Sequence, residues 1–354
     1  MEQVKNDITF LGQIDGQEVV SYTLTNNNIT VSITNFGATI TNIITPDKNG
    51  QLADIALGYD DLQGYINDDY YMGGIVGRFA NRIAGGLVEL DGKKYQLTLK
   101  EGGFHHHGGA IGFNKKVWRS EYINNDGLPA VKLEYLSPDG EEGFPGNLTT
   151  TVIYTLNKQN QLVVDITATT DQTTLLNLTQ HTYFNLAGHN SGTILDHELL
   201  LPLDEFLPVN TMQVPSGELQ KVSNTPFDFR KSKKIVKHII EPNEQLLLSR
   251  GYDHSWVVKH ENSPEIKLAA CATDENSGRT LAVFTTEPAV HLYTGNFLEN
   301  VSGKNGATYG HRSGFCLETQ QYPDAPNKLH FPSTVLKPGS VFNSRTIFEF
   351  GTHK

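Results

Sequence analysis

The chain has 354 residues, with 28 basic and 39 acidic side chains and a formal net charge of -11. Because affinity for nucleic acid and anionic membranes depends on lysine and arginine neutralising phosphates, this acidic balance disfavours both partners. The two cysteines, Cys271 and Cys316, do not make a disulfide framework and are typical of a reducing compartment. Residues 1–10 do not resemble a signal peptide, and no run approaches about 20 apolar residues. We therefore expect a cytoplasmic protein.

Apolar and polar residues alternate along most of the chain, as the segments 29–34, 131–135 and 162–168 illustrate. A period of two predicts half-buried β-strands. The dipeptide Asp91-Gly92 between two such runs predicts a tight hairpin. Helical periodicity is scarce, and residues 239–250 are the best candidate for a helix, although Pro242 limits it.

No linker, internal repeat or low-complexity segment divides the chain. Many short strands joined by turns are typical of antiparallel sheets packed face to face. We therefore expect an all-β fold, a large antiparallel β-sandwich with extra strands, formed by one domain over residues 1–354.

Five short segments combine glycines, aromatic rings and polar side chains in a way unusual for plain core or plain loop. They are Gly-Arg-Phe-Ala-Asn-Arg-Ile at 77–83, Gly-Gly-Phe-His-His-His-Gly-Gly at 102–109, Gln-His-Thr-Tyr-Phe-Asn-Leu at 180–186, Gly-Tyr-Asp-His-Ser-Trp at 251–256 and Gly-Phe-Cys-Leu-Glu-Thr-Gln-Gln-Tyr-Pro-Asp at 314–324. Together they supply proton-transfer groups, polar anchors and aromatic walls. These are the parts needed to bind a neutral sugar and to move protons on it.

The first two segments carry arginines and histidines at strand spacing. Arg78 and Arg82 are four residues apart, so on a strand both guanidinium groups would face one cleft, unless they form structural ion pairs. Alternation likewise places His105 and His107 on one side, which suggests a metal site. Since no carboxylate follows in residues 110–113, the sequence disfavours a metal.

Three further residues have both a structural and a functional interpretation. His181 is either a hydrogen-bonded core residue or a proton-transfer group suited to neutral pH. Glu318 has apolar neighbours, and a carboxylate there is unfavourable unless it is functional or paired with an arginine such as Arg82 or Arg312. Asp253 precedes a strand, where aspartate often caps a turn.

Several common catalytic motifs do not occur. Residues 73–77 do not match the dinucleotide-binding pattern, and the sequence contains neither a phosphate-binding loop nor a nucleophile elbow. These absences disfavour nicotinamide-dependent sugar epimerases, kinases and α/β-hydrolases.

The five segments, with Asn-Phe-Gly-Ala-Thr at 35–39 and Tyr-Thr-Gly-Asn-Phe at 293–297, resemble the aldose 1-epimerase family over nearly the whole chain. The resemblance implies a single-domain antiparallel supersandwich with Glu318 as general base and His181 as general acid. The same matching implies that sugar is bound by Asn81, Arg82, His107 and Asp253. It implies neither a metal nor an organic cofactor.

The chain departs from the family pattern at three places. Phe104 and two histidines precede His107 and its glycines, and Gln180 stands where asparagine commonly precedes the acid histidine. His291 stands where a sugar-binding glutamine commonly lies, so we expect His291 to contact the sugar and to influence which aldose is preferred.

The implied activity is interconversion of the α and β anomers of hexoses such as D-galactose and D-glucose, by a monomer or homodimer. It requires a carboxylate at Glu318 and an imidazolium at His181, whose pKa we expect nearby anions to raise. Two alternatives remain. One is an epimerase for hexose 6-phosphates, with Lys115, Lys116 and Arg78 as phosphate ligands. The other is a carbohydrate-binding module without catalysis.

Overall fold

The computed structural model describes residues 7–26, 28–259 and 265–353. The single domain expected over residues 1–354 also includes residues 1–6, 27, 260–264 and 354, which lie outside the described residues. The described residues form 29 strands, the α-helices α1 (Leu62–Ile66) and α2 (Glu244–Ser249), and five short 3-10 helices. None of the described helices has the length and apolar character that a membrane span requires.

The strands are short, as the spacing of turn residues predicts. Those up to residue 175 are β1 Asp7–Ile14, β2 Gln17–Thr25, β3 Thr30–Thr34, β4 Thr39–Pro46, β5 Leu52–Asp54, β6 Ile75–Val76, β7 Arg82–Ala84, β8 Leu87–Leu90, β9 Lys93–Gln96, β10 Phe104–His106, β11 Arg119–Asn125, β12 Leu128–Ser137, β13 Leu148–Leu156, β14 Gln161–Thr170 and β15 Thr174–Leu175. The later strands are β16 Thr179–Gln180, β17 Glu198–Leu200, β18 Glu205–Leu207, β19 Gln220–Lys221, β20 Lys233–Lys234, β21 Asp253–Val257, β22 Lys267–Thr273, β23 Arg279–Thr285, β24 Ala289–Tyr293, β25 Val301–Ser302, β26 Thr308–Tyr309, β27 Cys316–Gln320, β28 Val335–Leu336 and β29 Phe342–Thr352.

Three sheets dominate the fold. A nine-stranded sheet has the order β11-β12-β13-β14-β29-β23-β22-β17-β20, and two five-stranded sheets have the orders β1-β2-β3-β4-β5 and β19-β18-β21-β24-β27. The ladders of the nine-stranded sheet are antiparallel. One hydrophobic core collects apolar side chains from all three sheets, including Val31, Val164 and Leu292. The prediction of a large antiparallel β-sandwich is confirmed.

Alternation decides which side chains enter this core. On β14, Leu162, Val164, Ile166 and Ala168 are buried, as the period of two predicts. Burying an aliphatic side chain of this kind contributes about 1.5–3 kcal/mol before the entropy of ordering it is counted.

The hairpin prediction is confirmed, and the predicted helix forms only over residues 244–249, while helix α1 was not predicted. Strands β8 and β9 pair across Asp91 and Gly92, whose φ angles of 49° and 76° suit a primed hairpin turn. Helix α2 begins only after Pro242, and the side chain of Asn243 caps it by accepting a hydrogen bond from the Gln245 N–H at 3.0 Å.

The sheet containing β21, β24 and β27 is buried on both faces, which is what places polar side chains inside the protein. Trp256, Val290, Leu292 and Leu317 face the core. The alternate residues face the other way, and four of them line a cleft: Asp253, His291, Tyr293 and Glu318. Cross-strand pairing places Ser255 opposite His291, and His291 opposite Glu318. The strand period therefore produces a polar row across three strands on one face.

Candidate active site

One cleft receives all seven residues that the sequence suggests for catalysis and sugar binding. It encloses about 630 Å³ of space, including open solvent at its mouth. Its lining consists of Asp69, Tyr70, Tyr71, Asn81, Arg82, His106, His107, His181, Tyr183, Asp253, His291, Tyr293, Phe297 and Glu318. The chain brings these residues together from segments separated by up to about 250 positions, because the sheets fold over one core.

Glu318 and His181 form a buried pair on the floor of the cleft. Glu318 is 1% exposed and His181 is 3% exposed, and the His181 Nε2 atom lies 3.6 Å from the Glu318 Oε1 atom. Oε2 of Glu318 has no hydrogen-bond partner among the described residues. Neither arginine considered as a partner of Glu318 forms an ion pair with it in the described part of the chain: Arg312 donates to the Arg250 carbonyl at 3.2 Å, and Arg82 pairs with Asp253. The free oxygen can accept a hydrogen bond from a ligand in the cleft.

Burial controls the protonation of this pair. It raises the pKa of Glu318 well above its usual value, and the charge of Asp253 raises it further. Burial lowers the pKa of His181 to about 4. The predicted rise in the pKa of His181 is therefore wrong, because the loss of water outweighs the attraction of nearby anions. Burial therefore favours a carboxylic acid at Glu318 and a neutral imidazole at His181.

The backbone N–H of Asn81 determines which ring nitrogen of His107 carries the proton. Its Nδ1 accepts a hydrogen bond from the Asn81 N–H at 3.1 Å, so the neutral ring carries its proton on Nε2. Burial, together with the neighbouring His106, holds the pKa of His107 well below its usual value. The ring thus presents a neutral N–H group.

The tautomer of His107 is incompatible with metal coordination. His107, His181 and Glu318 offer ligand atoms within 4.8 Å of one another. However, the lone pair of His107 is already used by the Asn81 N–H, and its other nitrogen carries a proton. A metal ligand needs a free lone pair, so this donor set does not fit a metal ion.

The predicted common orientation of His105 and His107 is wrong. Strand β10 ends at His106, and His107 has a φ of 48°, so alternation does not continue across it. His106 and His107 both line the cleft, with ring centroids 3.9 Å apart. His105 points away, with its Nδ1 2.8 Å from the Thr98 carbonyl oxygen. The loop approaches the chain so closely at Gly108 that a Cβ atom there would lie 1.8 Å from the Gly77 carbonyl oxygen.

Arg82, Asp253 and His291 form a connected polar group on one wall. Arg82 Nη2 lies 3.7 Å from Asp253 Oδ2 and donates to Gln213 Oε1 at 2.8 Å. His291 Nε2 lies 2.7 Å from Asp253 Oδ1. Burial alone raises the pKa of Asp253, but the His291 hydrogen bond and the Arg82 charge lower it by more. Its pKa therefore lies below the usual range, and Asp253 is a carboxylate.

Arg78 does not enter the cleft, so the prediction that it shares a face with Arg82 is wrong. Asn81 has a φ of 62°, which turns the backbone between the two arginines. The buried guanidinium of Arg78 donates to the carbonyl oxygens of Ser137, Pro145 and Gly146 at 2.9–3.1 Å. Arg78 is a structural residue that ties its own segment to the end of β12 and to the connection between β12 and β13, with carbonyl oxygens as its acceptors.

Sequence reasoning missed the segment 69–71, which closes one side of the cleft. The ring of Tyr71 lies 4.6 Å from that of His107 and 6.0 Å from that of His181. The Asp68 carboxylate accepts from the Tyr70 and Met72 N–H groups at 2.9 and 2.8 Å, which holds Tyr71 at a φ of 61°. The run of acidic and aromatic residues at 68–71 was the available signal. Tyrosine itself does not indicate a left-handed backbone.

Comparison with known proteins places this geometry in a family. Residues 20–349 match the aldose 1-epimerase family. The chain is 44% identical to galactose mutarotase of Bos taurus, covering 94% of each, and 34% identical to aldose 1-epimerase of Escherichia coli strain K12, covering 95% and 96%. The crystal structure of galactose 1-epimerase from Lactobacillus acidophilus NCFM superposes with a TM-score of 0.87 at 28% identity, covering 99% of this chain and 100% of the other. The chain belongs to the aldose 1-epimerase family.

Proposed function

We propose that the protein is a cofactor-independent isomerase that interconverts the α and β anomers of neutral hexoses such as D-galactose and D-glucose. The observation that carries this proposal is the buried pair of His181 and Glu318, 3.6 Å apart in an open cleft. Relatives named galactose mutarotase and aldose 1-epimerase support the same reaction. We propose further that residues 1–354 form one domain. The protein acts in the cytoplasm as a monomer or homodimer. A core containing residues from Tyr22 to Phe350 supports the single domain.

The two proton transfers have separate donors and acceptors. The Glu318 carboxylate takes the proton of the sugar's O1 hydroxyl, while the His181 imidazolium gives the Nε2 proton to the ring oxygen. The bond between C1 and the ring oxygen breaks as C1 and O1 form an aldehyde. Rotation about the C1–C2 bond presents the other face, and both transfers then reverse. General acid and base catalysis of this kind supplies roughly 10²–10⁴-fold each.

The pair holds one proton throughout this cycle. Before ring opening the proton is on His181, and afterwards it is on Glu318. Burial favours the second arrangement, which is that of the open-chain intermediate. A sugar hydroxyl that donates to Oε2 of Glu318 favours the carboxylate, because a hydrogen bond to the charged form stabilises it. Bound sugar therefore brings the two arrangements closer in free energy.

The remaining cleft residues bind and orient the sugar. His107 Nε2–H and the Arg82 guanidinium donate to sugar oxygens that gain negative charge. Asp253 accepts from sugar hydroxyls, and Asn81 and His291 lie beside it, with Asn81 Nδ2 3.5 Å from His291 Nε2.

Polarimetry tests the proposed reaction. Freshly dissolved α-D-galactose and α-D-glucose should reach their anomeric equilibrium faster with the protein than in buffer, in proportion to protein concentration. No acceleration with either sugar would refute the proposal. Sugar binding measured by calorimetry without acceleration would support the carbohydrate-binding module instead.

The charges of the cleft disfavour the sugar-phosphate alternative. The lining contains one arginine, Arg82, and three acidic residues, Asp69, Asp253 and Glu318. Lys115, one of the phosphate ligands considered, instead donates to the carbonyl oxygens of Tyr65 and Ile66, at 2.9 Å each. A phosphate dianion would be repelled here, and we expect glucose 6-phosphate to be a poor substrate in the same assay.

The pH dependence should follow the proton count of the catalytic pair. Below about pH 4, His181 gains a proton while Glu318 keeps its own, and no base remains. At high pH, Glu318 loses its proton and no acid remains; this limb lies well above the usual carboxyl pKa. We therefore expect a bell-shaped profile of kcat/KM, measured after subtraction of the buffer rate. An acid limb near pH 6.5, the pKa of an ordinary histidine, would contradict this assignment.

A further inference from the structure

Ser255 lies outside the cleft but connects to it through His291. Asp253 and Ser255 are two residues apart on β21, so their side chains share a face, and β24 places His291 directly opposite Ser255. The Ser255 Oγ atom lies 2.9 Å from His291 Nδ1, and His291 Nε2 lies 2.7 Å from Asp253 Oδ1. Ser255 is 2% exposed and does not line the cleft. Both ring nitrogens of His291 are thus engaged within the protein.

The donors and acceptors in this chain of contacts can be assigned. Asp253 is a carboxylate and only accepts, so His291 Nε2 carries the proton and donates it. In the neutral ring, Nδ1 then has a lone pair, and the Ser255 hydroxyl donates to it. The opposite tautomer would place a lone pair of His291 against a carboxylate oxygen 2.7 Å away. Ser255, with its single hydroxyl proton, therefore stabilises the tautomer that holds Asp253.

We propose that Ser255 is a positioning residue that acts through His291 to fix the carboxylate of Asp253 for sugar binding. With one oxygen held by His291, Asp253 directs Oδ2 towards Arg82, 3.7 Å away, and towards the sugar. His291 then has no free nitrogen for a sugar hydroxyl, so its role is to orient Asp253. The expectation that His291 itself bonds the sugar is replaced by this indirect role. The inference rests on the proposed function, since it assigns Asp253 to the sugar.

The positioning role of Ser255 is tested by measuring kcat and KM of the Ser255→Ala variant. Removing the hydroxyl leaves His291 Nδ1 without its donor and loosens the ring that holds Asp253. Because Asp253 binds the cyclic sugar before and during the reaction, KM for galactose should rise about fivefold with kcat within about twofold. Ser255→Thr keeps the hydroxyl and should restore KM.

Ser249→Ala is the matched control. Ser249 is 0% exposed, and its Oγ has no hydrogen-bond partner among the described residues. Its loss should leave KM unchanged, whatever it does to the melting temperature. A folded Ser255→Ala variant with KM within about twofold of the parent would overturn the proposal, as would a threonine variant impaired as much as the alanine variant.

The tautomer of His291 gives a readout that does not depend on activity. Long-range proton–nitrogen correlation spectra of protein labelled with ¹⁵N-histidine, with the His291 signals identified from the spectrum of His291→Gln, should show a proton on Nε2. A proton on Nδ1 alone would overturn the proposal even in an active enzyme. If the parent protein has no mutarotase activity, the proposed function fails, while this spectrum still decides the Ser255–His291–Asp253 arrangement.

Discussion

Glu318→Gln should lower kcat for galactose anomerisation by at least about 10³-fold, towards the upper end of what a general base supplies. The amide has nearly the same shape as the carboxyl group but does not take the O1 proton. Since the side chain is buried and favours its neutral form, the substitution should leave the fold and the melting temperature close to those of the parent. Polarimetry at several sugar concentrations separates kcat from KM, and calorimetry reports the melting temperature.

Glu287→Gln provides the matched control for this variant. Glu287 is also buried, at 2% exposure, but it lies outside the cleft and accepts a hydrogen bond from Gln321 Nε2 at 2.6 Å. Its replacement should leave kcat within about twofold of the parent, because it touches neither sugar nor catalytic pair. A Glu318→Gln enzyme that retains more than about a tenth of the parent kcat would remove Glu318 from the role of base.

His181→Asn should lower kcat by about 10²–10⁴-fold, the usual contribution of a general acid. Asparagine keeps a polar side chain in the buried site but does not transfer a proton to the ring oxygen. The acid limb of the pH profile near pH 4 should disappear together with the activity, because that limb reports the pKa of His181. The residual rate of the variant, followed by polarimetry from pH 3 to 9, checks both expectations.

His189→Asn is the comparison for this second variant. His189 is half-buried outside the cleft, and its Nδ1 lies 3.0 Å from the Tyr309 hydroxyl. It should keep the parent's kcat and its pH profile. If His181→Asn turned over sugar at a rate near that of His189→Asn, another group would have to be the acid.

Most of the fold was predictable from the sequence, because strand alternation is a local property. The buried positions of β14 follow from its own period of two, and the hairpin at Asp91 and Gly92 follows from two residues. The seven predicted site residues all line one cleft. Their signal in the sequence was polarity within otherwise apolar or glycine-rich segments, because burying a polar group is unfavourable unless it is paired or functional. Resemblance to a family supplied their roles, which local physics alone left open.

What could not be predicted depends on backbone conformation and burial. Asn81 and His107 adopt positive φ angles, so alternation fails on both sides of them and Arg78 and His105 turn away from the cleft. Tyr71 is a third case, and it was missed altogether. The direction of the pKa shift of His181 depends on how much water its surroundings exclude, which is a property of the folded protein as a whole.

The position of β29 has a consequence for folding. The strand Phe342–Thr352 lies between β14 and β23 in the middle of the nine-stranded sheet. Without β29 in place, the described strands of this sheet would form two halves with unpaired edges at β14 and β23. Exposed edges of this length invite pairing with other chains. A substitution that weakens β29 would therefore expose two edges at once, and we expect such variants to aggregate more readily than variants of the edge strand β11.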